Sequence, residues 1–256
     1  MTNFRERVAR ELDGFGLEDA HGLPAVTLPP AVEVDLSGAA MRHYWRGRAE
    51  QHVRDSYAGV PLSKFPEDLR VYEHLLWLDA PDTVIEIGTQ WGGSALWFRD
   101  RLAALRAYGR IAREPTVISV DLAQDVSRRT IAQAGNTAHI TFVEGDVADP
   151  EVAEHVAGLI GERCFVVEDS AHTYETTRAA LQHYARFVPA GGFMVVEDGC
   201  VDDERLRLAG WPRGVLPALN AWLATAAGAA FTVRRDLELY GVTCHPSGYL
   251  QRREGA

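Results

Sequence analysis

The sequence has few cysteines, and its apolar stretches are too short to span a membrane. Its three cysteines, Cys164, Cys200 and Cys244, are far apart and form no Cys-x-x-Cys pair. This predicts reduced thiols rather than a disulfide framework or a zinc site. The apolar run 219–233 is too short to cross a bilayer, and the first residues lack the apolar core of a signal peptide. We therefore expect a cytoplasmic protein that does not bind membranes.

The sequence also has fewer basic than acidic residues. The 256-residue chain has 36 acidic side chains against 26 lysines and arginines, a formal net charge of −10. It shows no basic stripe interleaved with aromatic residues, so nucleic acid is not an expected partner. A phosphate-bearing substrate would need a local basic pocket, which net charge neither provides nor excludes. Hydrophobic residues make up 46% and charged residues 24%, as is ordinary for a globular protein of this length.

The sequence also lacks the Gly-x-Gly-x-x-Gly order of dinucleotide-binding turns. Instead, a short apolar run from Val84 to Ile87 breaks at Gly88, and the spacing continues as Gly88-x-x-x-Gly92-Gly93 before a helical pattern. An acid beside a roomy glycine turn suits a cationic or zwitterionic ligand, and this pattern is typical of S-adenosylmethionine (SAM) sites. The alternative is an ordinary tight turn between a strand and a helix.

Strands and helices alternate through most of the chain. Continuous apolar strands separated by helices predict a parallel sheet with helices on both faces, an α/β Rossmann-like fold. A closing antiparallel hairpin is typical of the seven-stranded class I methyltransferase sheet. The predicted strands are 83–87, 116–120, 139–143, 164–168, 193–197, 231–235, 239–244 and 247–251. The predicted helices are 67–78, 94–108, 127–134, 150–160, 174–187 and 215–225.

The first part of the chain differs in character from the rest. Residues 4–13 predict a short charged helix, and Pro24, Pro29 and Pro30 interrupt regular structure. Residues 38–56 predict an amphipathic helix that packs on the main domain or on another subunit, or acts as a lid, and a loop follows at 57–66. We therefore divide the chain into an extension (1–65), serving as a lid or an oligomerisation segment of a homo-oligomer, and a methyltransferase domain (66–256).

Acidic residues end each of the first five strands of the predicted sheet. In an open parallel sheet, ligands bind beyond the carboxyl ends of the strands, so these acids are expected to meet at one edge. Asp121 is placed to accept hydrogen bonds from a ribose diol, and Asp146 is placed to accept a hydrogen bond from the amino group of adenine. Glu86 is expected near the amino-acid end of SAM.

A second group of acids follows the fourth and fifth predicted strands. A helical crossover makes these strands neighbours, so Asp169, Glu197 and Asp198 are expected to converge as ligands of a divalent cation, with Mg²⁺ favoured over Ca²⁺ or Mn²⁺. His172 is within reach as a general base that removes a hydroxyl proton. A bound cation can activate a sugar hydroxyl for methyl transfer. The alternatives are Asp169 as a helix cap and His172 as a surface histidine.

The site residues predicted from these patterns fall into three sets. The residues expected to contact SAM are Glu86, Gly88, Thr89, Gln90, Gly93, Ser94, Asp121, Asp146, Val147 and Asp169. The metal ligands are Asp169, Glu197 and Asp198, with His172 and Asp169 in catalytic roles. The residues expected to contact a small sugar substrate are Lys64, Phe65 and Trp91.

Five stretches of the chain resemble the cephalosporin-hydroxylase-like and rhamnosyl O-methyltransferase family of class I methyltransferases. They are Gly59-Val-Pro-Leu-Ser-Lys-Phe-Pro-Glu-Asp-Leu69, Ile85-Glu-Ile-Gly-Thr-Gln-Trp-Gly-Gly-Ser-Ala-Leu96, Asp169-Ser-Ala-His172, Val188-Pro-Ala-Gly-Gly-Phe-Met-Val-Val-Glu-Asp198 and Pro246-Ser-Gly-Tyr-Leu-Gln-Arg252. The resemblance implies metal-dependent O-methylation of a deoxysugar, free or nucleotide-linked, in natural-product biosynthesis such as that of antibiotics. It also implies that Asp169, Glu197 and Asp198 bind the metal and that His172 is the base.

Three other functions are considered beside sugar methylation. A phenol or catechol O-methyltransferase would use a cation too, and Trp91, Phe65 and Tyr57 are consistent with an aromatic acceptor. A nicotinamide-dependent oxidoreductase is disfavoured by the glycine spacing and the acidic cluster. A non-catalytic SAM-binding partner of an oxygenase would have no need of the cluster.

Overall fold

The computed structural model describes residues 35–135 and 137–255, all within one compact unit, Ala31–Ala256. The helix predicted at 4–13 and the proline-interrupted segment after it lie outside the described residues. The helices are α1 (Ala39–His52), α2 (Pro66–Asp79), α3 (Gly93–Ala107), α4 (Asp125–Gln133), α5 (Pro150–Ala157), α6 (Tyr174–Tyr184) and α7 (Val215–Leu223). The strands are β1 (Ser56–Tyr57), β2 (Val60–Pro61), β3 (Thr83–Ile87), β4 (Thr116–Asp121), β5 (Ile140–Glu144), β6 (Cys164–Glu168), β7 (Phe193–Val196), β8 (Phe231–Val233) and β9 (Tyr249–Arg252).

Seven of these strands form one sheet in the order β5-β4-β3-β6-β7-β9-β8. The first five in this order are parallel, and β9 pairs antiparallel with both β7 and β8. This confirms the predicted seven-stranded sheet with flanking helices and a closing antiparallel hairpin. It also confirms that the fourth and fifth predicted strands are neighbours, since β6 pairs with β7.

The prediction of a strand at 239–244 was wrong. These residues form turns and bends because Asp68 on α2 takes their hydrogen bonds. Its carboxylate accepts from the Thr243 hydroxyl at 2.5 Å and from the Cys244 amide at 3.0 Å. The apolar run in this segment therefore packs against α2 without joining a sheet ladder.

The core lies around the two central strands. All five residues of β3 and all five of β6 are buried, including Val84, Ile85, Val166 and Val167. Strands covered on both faces need continuous apolar sequence, which is why their pattern lacks the alternation of a half-exposed sheet. Within the described residues, no helix is both long and apolar enough to cross a membrane.

Strand β3 marks the point where the order of the sheet reverses. The chain proceeds from β3 to β4 and β5 on one side, and then to β6 and β7 on the other. The loops that leave the carboxyl ends of β3 and β6 thus diverge, and a crevice opens between them. Ligands bind at such switch points in open α/β sheets.

Helix α1 packs on the main sheet domain, which is one of the roles predicted for residues 38–56. The indole nitrogen of Trp45 donates to the carbonyl of Leu206 at 2.6 Å, and the Trp45 ring lies 5.1 Å from the ring of Phe65. Where a loop was predicted, Ser56–Tyr57 and Val60–Pro61 instead form a short hairpin. Ala58 and Gly59, both at positive φ, make the tight two-residue turn that such a hairpin requires.

Candidate active site

The glycine turn after β3 is held open by close backbone contacts. Gly88 has a φ of 96°, and a Cβ added there would collide with the carbonyl of Asp169. The Gly88 amide donates to Val120 at 2.8 Å, and the Asp169 amide donates to Ile87 at 2.8 Å. Glycine is therefore required at position 88, because β3, β4 and β6 converge there with no room for a side chain.

The carboxylate of Asp121, at the end of β4, ties down this turn. Its Oδ2 accepts from the amides of Thr89 at 2.7 Å and Gln90 at 3.0 Å. Asp121 also lines the large cavity at this edge of the sheet, so part of the carboxylate can face a ligand. The carboxylate thus orders the turn, a role that the sequence did not reveal.

Glu86 lies beneath the turn and does not line the cavity. Its side chain is buried within a polar network, in which Ser119 donates to Oε2 at 2.8 Å and also bonds Thr89 at 2.7 Å. Within the described part of the chain, its Oε1 has no hydrogen-bond partner. Burial raises the pKa of Glu86 to about 7, although Lys64 and the hydroxyls of Ser94 and Ser119 act in the opposite direction. Glu86 therefore supports the turn from below.

The loops that leave the carboxyl ends of β3, β4, β5, β6 and β7, together with the segment before α2, line a cavity of about 850 Å³. This volume lies within the range typical of small-molecule sites. Most of the predicted cofactor contacts do line it: Gly88, Thr89, Gln90, Gly93, Ser94, Asp121, Asp146, Val147 and Asp169. Lys64, Trp91, His172 and Asp198 line it as well, so one cavity joins the glycine turn and the predicted catalytic residues.

Phe65 and Glu197, which were predicted to contact substrate and metal, do not line the cavity. Phe65 is buried, with its ring 5.1 Å from Trp45 and 4.8 Å from His52. It anchors α1 rather than forming a substrate surface. Trp91, by contrast, is 44% exposed at the cavity wall.

A lysine separates two of the predicted metal ligands. Lys64 Nζ lies 2.9 Å from Asp169 Oδ2, and 2.6 and 2.7 Å from the two oxygens of Glu197. The hydroxyl of Tyr72 also donates to Glu197 Oε1 at 2.5 Å. Both oxygens of Glu197 are thus already occupied by donors from the chain.

Asp169 and Asp198 come together with His172 instead. His172 Nε2 lies 3.5 Å from Asp198 Oδ2 and 3.9 Å from Asp169 Oδ1, and the three residues form one of the groups whose ligand atoms lie within 4.8 Å of one another. Glu197 belongs to a different such group, with Asp198 and His245. Among the described residues, no such group combines Asp169, Glu197 and Asp198 as predicted.

The carboxylates of this cluster repel one another. Burial and repulsion by Glu197 raise the pKa of Asp169 well above its usual range. Burial also acts to raise the pKa of Glu197, but attraction by Lys64 and His245 outweighs it, so the pKa of Glu197 is lowered. A cation beside Asp169 and Asp198 would relieve the repulsion, and carboxylate oxygens are the donors that Mg²⁺ and Ca²⁺ prefer. The donor set therefore fits a divalent cation.

Two residues that support the cluster were missed from the sequence. His245 is buried and accepts the Asp198 amide through Nδ1 at 3.0 Å, while its Nε2 lies 3.8 Å from Glu197 Oε2. Tyr72 reaches the same carboxylate from α2. His245 directly precedes the Pro246-Ser247-Gly248 turn, and its position next to this turn could have identified it from the sequence as a candidate site residue. Tyr72 gave no signal, because it follows the ordinary helical pattern of α2.

Comparisons with known proteins show the family of the chain. The family model described as Rhamnosyl O-methyltransferase/CmcI matches residues 50–253. A Rhamnosyl O-methyltransferase of Mycobacterium bovis (strain BCG / Pasteur 1173P2) is 27% identical over 216 residues, which cover 82% of this chain and 83% of the relative. The residues matched by the family model include the glycine turn, the acidic cluster and both strands of the closing hairpin.

Solved structures of CmcI share the fold. An apo structure of CmcI has a TM-score of 0.59 at 21% identity and covers 96% of each chain. A structure of CmcI with Mg and SAM has a TM-score of 0.58 at 20% identity and covers 95% of this chain and 94% of its own.

Proposed function

Because the chain belongs to the Rhamnosyl O-methyltransferase/CmcI family, we propose that it transfers a methyl group from SAM to a hydroxyl of a rhamnose-type deoxysugar. The transfer is assisted by a divalent cation. The observation that carries the proposal is the position of Asp169, His172 and Asp198 in the same cavity as the glycine turn. A donor site and an activating site must share one cavity for direct transfer.

The residues around the turn are assigned to SAM, whose sulfonium supplies an electrophilic methyl group when bound. Gly88, Thr89 and Gln90 form the floor of the site, and Asp121 is assigned to the ribose diol. Asp146 and Val147 line the cavity beyond β5 and are assigned to the adenine. Glu86 stabilises the turn from beneath, without a contact to the cofactor.

The acidic cluster is assigned to the cation and the acceptor hydroxyl. Asp169 and Asp198 would hold Mg²⁺ most readily, with Ca²⁺ or Mn²⁺ as alternatives, and such an ion lowers the pKa of a hydroxyl that it polarises. His172 accepts the hydroxyl proton at Nε2, the ring nitrogen that faces both carboxylates. Asp169 also fixes the position of the acceptor site relative to the SAM site, because its backbone amide donates a hydrogen bond to Ile87 at the end of β3.

Charge in the cavity favours a sugar without phosphate groups. Its lining includes Glu50, Asp121 and Asp146 besides the cluster. Among the described lining residues there is one lysine, Lys64, which is already paired with carboxylates, and no arginine. A nucleotide-linked sugar would bring a pyrophosphate into this negative field. We therefore place the reaction after glycosyl transfer, on a glycoside formed in natural-product biosynthesis.

Part of the cavity lining is apolar. Leu208, Trp211 and Pro212 line it, and such a surface fits the uncharged part of a glycoside. The same surface, together with Trp91, also fits a flat phenol. A catechol O-methyltransferase is therefore the second candidate.

The segment 1–65 is proposed as a lid. In its described part, Ala49 and His52 of α1 line the cavity, which supports this role for the end of the segment. Association of the chain into a homo-oligomer through the same segment is a separate proposal, to be tested by light scattering of the full chain and of a chain lacking residues 1–34.

The test is methyl transfer by the purified full chain. SAM is supplied with a rhamnoside, a nucleotide-linked rhamnose and a catechol, and the products are identified by mass spectrometry. We expect methylation of the rhamnoside, loss of activity with a chelator and recovery with Mg²⁺. Preferred methylation of catechol would favour the second candidate, and SAM binding without transfer to any acceptor would contradict the proposal.

A further inference from the structure

Two of the three cysteines meet at the wall of the cavity, although the sequence contains no Cys-x-x-Cys pair. The thiol sulfurs of Cys200 and Cys244 and a carboxylate oxygen of Asp198 all lie within 4.8 Å of one another. All three residues line the cavity, and both cysteines are free thiols. The chain therefore has a dithiol with an acidic neighbour, and the proposed methyl transfer makes no use of the two sulfurs.

Backbone contacts between two segments fix the positions of these donors. The amide of Cys200 donates to the carbonyl of Cys244 at 3.0 Å, and the amide of Asp198 donates to Nδ1 of His245 at 3.0 Å. A Cβ added at Gly199 would lie only 2.8 Å from a carbonyl oxygen of the second segment. The loop after β7 and the segment before β9 are thus packed closely together, which holds the two sulfurs and the carboxylate side by side.

The donor set is suited to a thiophilic ion. Thiolate sulfur prefers soft ions and Zn²⁺, whereas Mg²⁺ and Ca²⁺ prefer oxygen donors. Tetrahedral coordination with Zn–S bonds of about 2.3 Å holds two sulfurs about 3.8 Å apart, which is compatible with donor atoms that lie within 4.8 Å of one another. Two thiolates and one carboxylate also leave a fourth position open for water, as in zinc sites with three protein ligands.

The third cysteine lacks this arrangement, although it is equally buried. Cys164 is the first residue of β6 and pairs with Thr83, the first residue of β3. It therefore lies at the opposite edge of the sheet from the cavity. Within the described residues, Cys164 belongs to no group of three potential metal ligands and does not line the cavity. It provides a matched control for the other two thiols.

We propose that Cys200, Cys244 and Asp198 form a binding site for a thiophilic divalent ion such as Zn²⁺ or Cd²⁺. The two sulfurs make this site different from the cation site of the proposed reaction, whose donors are carboxylates. Asp198 belongs to the acidic cluster as well, so an ion bound to the thiols competes for a carboxylate that the cluster needs. The bound ion therefore inhibits methyl transfer. This consequence rests on the proposed function, whereas the binding itself does not.

The test is a titration of the full chain with Cd²⁺, whose bonds to thiolates produce an ultraviolet charge-transfer band. A phosphine reductant keeps the thiols reduced. We expect the band to saturate at one ion per chain and to disappear when excess Zn²⁺ displaces Cd²⁺. Cys200→Ala and Cys244→Ala should each lower the affinity for Cd²⁺ by at least about 100-fold, because one of the two sulfur ligands is lost. Asp198→Asn should keep the band and lower the affinity by about tenfold.

Cys164→Ala is the control and should show the band and the Cd²⁺ affinity of the wild-type chain. Circular dichroism checks that each variant is folded. If Cys244→Ala fails to fold, Cys200→Ala still decides the question, because it removes the other sulfur of the same pair. Absence of the band in the wild-type chain would overturn the inference without any variant. A band that persists at unchanged affinity in Cys200→Ala would overturn it too, as would loss of the band in Cys164→Ala.

Methyl transfer is then measured with and without Cd²⁺ at a concentration that saturates the band. Activity of the wild-type chain should fall by at least about tenfold, and addition of a competing dithiol should restore it. Unchanged activity would contradict the competition for Asp198. The two proposals can fail separately. A chain that shows the band but methylates no acceptor keeps the thiol site and refutes the proposed function, whereas a chain that methylates a rhamnoside without showing the band refutes the thiol site alone.

Discussion

His172 and Asp198 face each other across the carboxyl ends of β6 and β7, with Nε2 and Oδ2 3.5 Å apart. Both residues have a φ of 56°, in the left-handed region. That conformation costs a non-glycine residue of order 1 kcal/mol. The surrounding structure therefore holds the pair in place against local backbone preference, as is common at functional sites.

Replacement of His172 separates a base from a metal ligand. We expect His172→Gln to lower the turnover number by roughly 10²–10⁴-fold, since the acceptor hydroxyl loses its proton acceptor. Mn²⁺ affinity should change by less than about threefold if the ring is a base rather than a ligand. The exposed His155 provides the control, because His155→Gln should leave both quantities unchanged. A large loss of Mn²⁺ affinity in His172→Gln would instead place the ring among the metal ligands.

Replacement of Asp121 tests the donor side. Asp121→Ala removes both the carboxylate that orders the turn and the expected ribose contact, so SAM should bind at least about tenfold more weakly by calorimetry. At saturating SAM the turnover number should stay within about threefold of the wild-type value. Asp125→Ala, at an exposed position at the start of α4, should not change SAM affinity. Unchanged SAM affinity in Asp121→Ala would exclude Asp121 from the donor site.

The buried carboxyl group of Glu86 should make the free energy of unfolding depend on pH. Its pKa in the folded protein is raised by burial from 4.5 to about 7, so its favourable contribution is complete below pH 4.5 and is lost as the pH rises through 7. The shift corresponds to about 3 kcal/mol at most. We therefore expect Glu86→Gln to gain stability relative to the wild-type chain between pH 5 and pH 8, measured by urea unfolding at several pH values.

The control for this experiment is an exposed acid. Glu154 has a side chain that is 66% exposed, and Glu154→Gln should follow the pH dependence of the wild-type chain within about 0.5 kcal/mol. If Glu86→Gln showed the same parallel behaviour, the carboxyl of Glu86 would not be in a low-dielectric environment.

Two glycines test the packing at the turn. Gly88→Ala should destabilise the fold by more than about 2 kcal/mol, because its methyl group would collide with Asp169 and its φ is positive. Gly47 lies in α1 with no atom near the place of an added Cβ, so Gly47→Ala should stabilise the helix by about 0.5–1 kcal/mol. Urea unfolding of both variants measures the contrast. A mild effect of Gly88→Ala would mean that β3 and β6 separate readily at this point.

The elements of the sheet could be predicted because their local pattern agrees with their environment. The runs at 83–87 and 164–168 are mostly apolar, and every residue of both is buried. The segment 239–244 shows where this reasoning fails. Its apolar residues looked like a strand, yet Asp68, 175 positions away from Thr243, takes its hydrogen bonds. Local sequence does not carry such a distant partner.

The residues of the site could be predicted where they lie at the carboxyl ends of strands. Asp121 ends a strand, Asp146, Asp169 and Asp198 each follow one, and all four line one cavity. Glu86 lies within β3 and Glu197 directly follows β7, but neither side chain lines the cavity, and both are buried in polar surroundings. The direction of a side chain at the end of a strand depends on its neighbours across the sheet, which the sequence alone does not specify.

The sequence by itself determined the α/β alternation, the glycine turn after β3 and the row of carboxylates at one edge of the sheet, because these depend on local periodicity and strand ends. Only the tertiary structure decided which carboxylates meet, since Lys64 and Tyr72 approach Glu197 from 133 and 125 positions away. The physical reason is that the charges of the acids were readable in the sequence, whereas the partners that balance them are set by packing between distant segments.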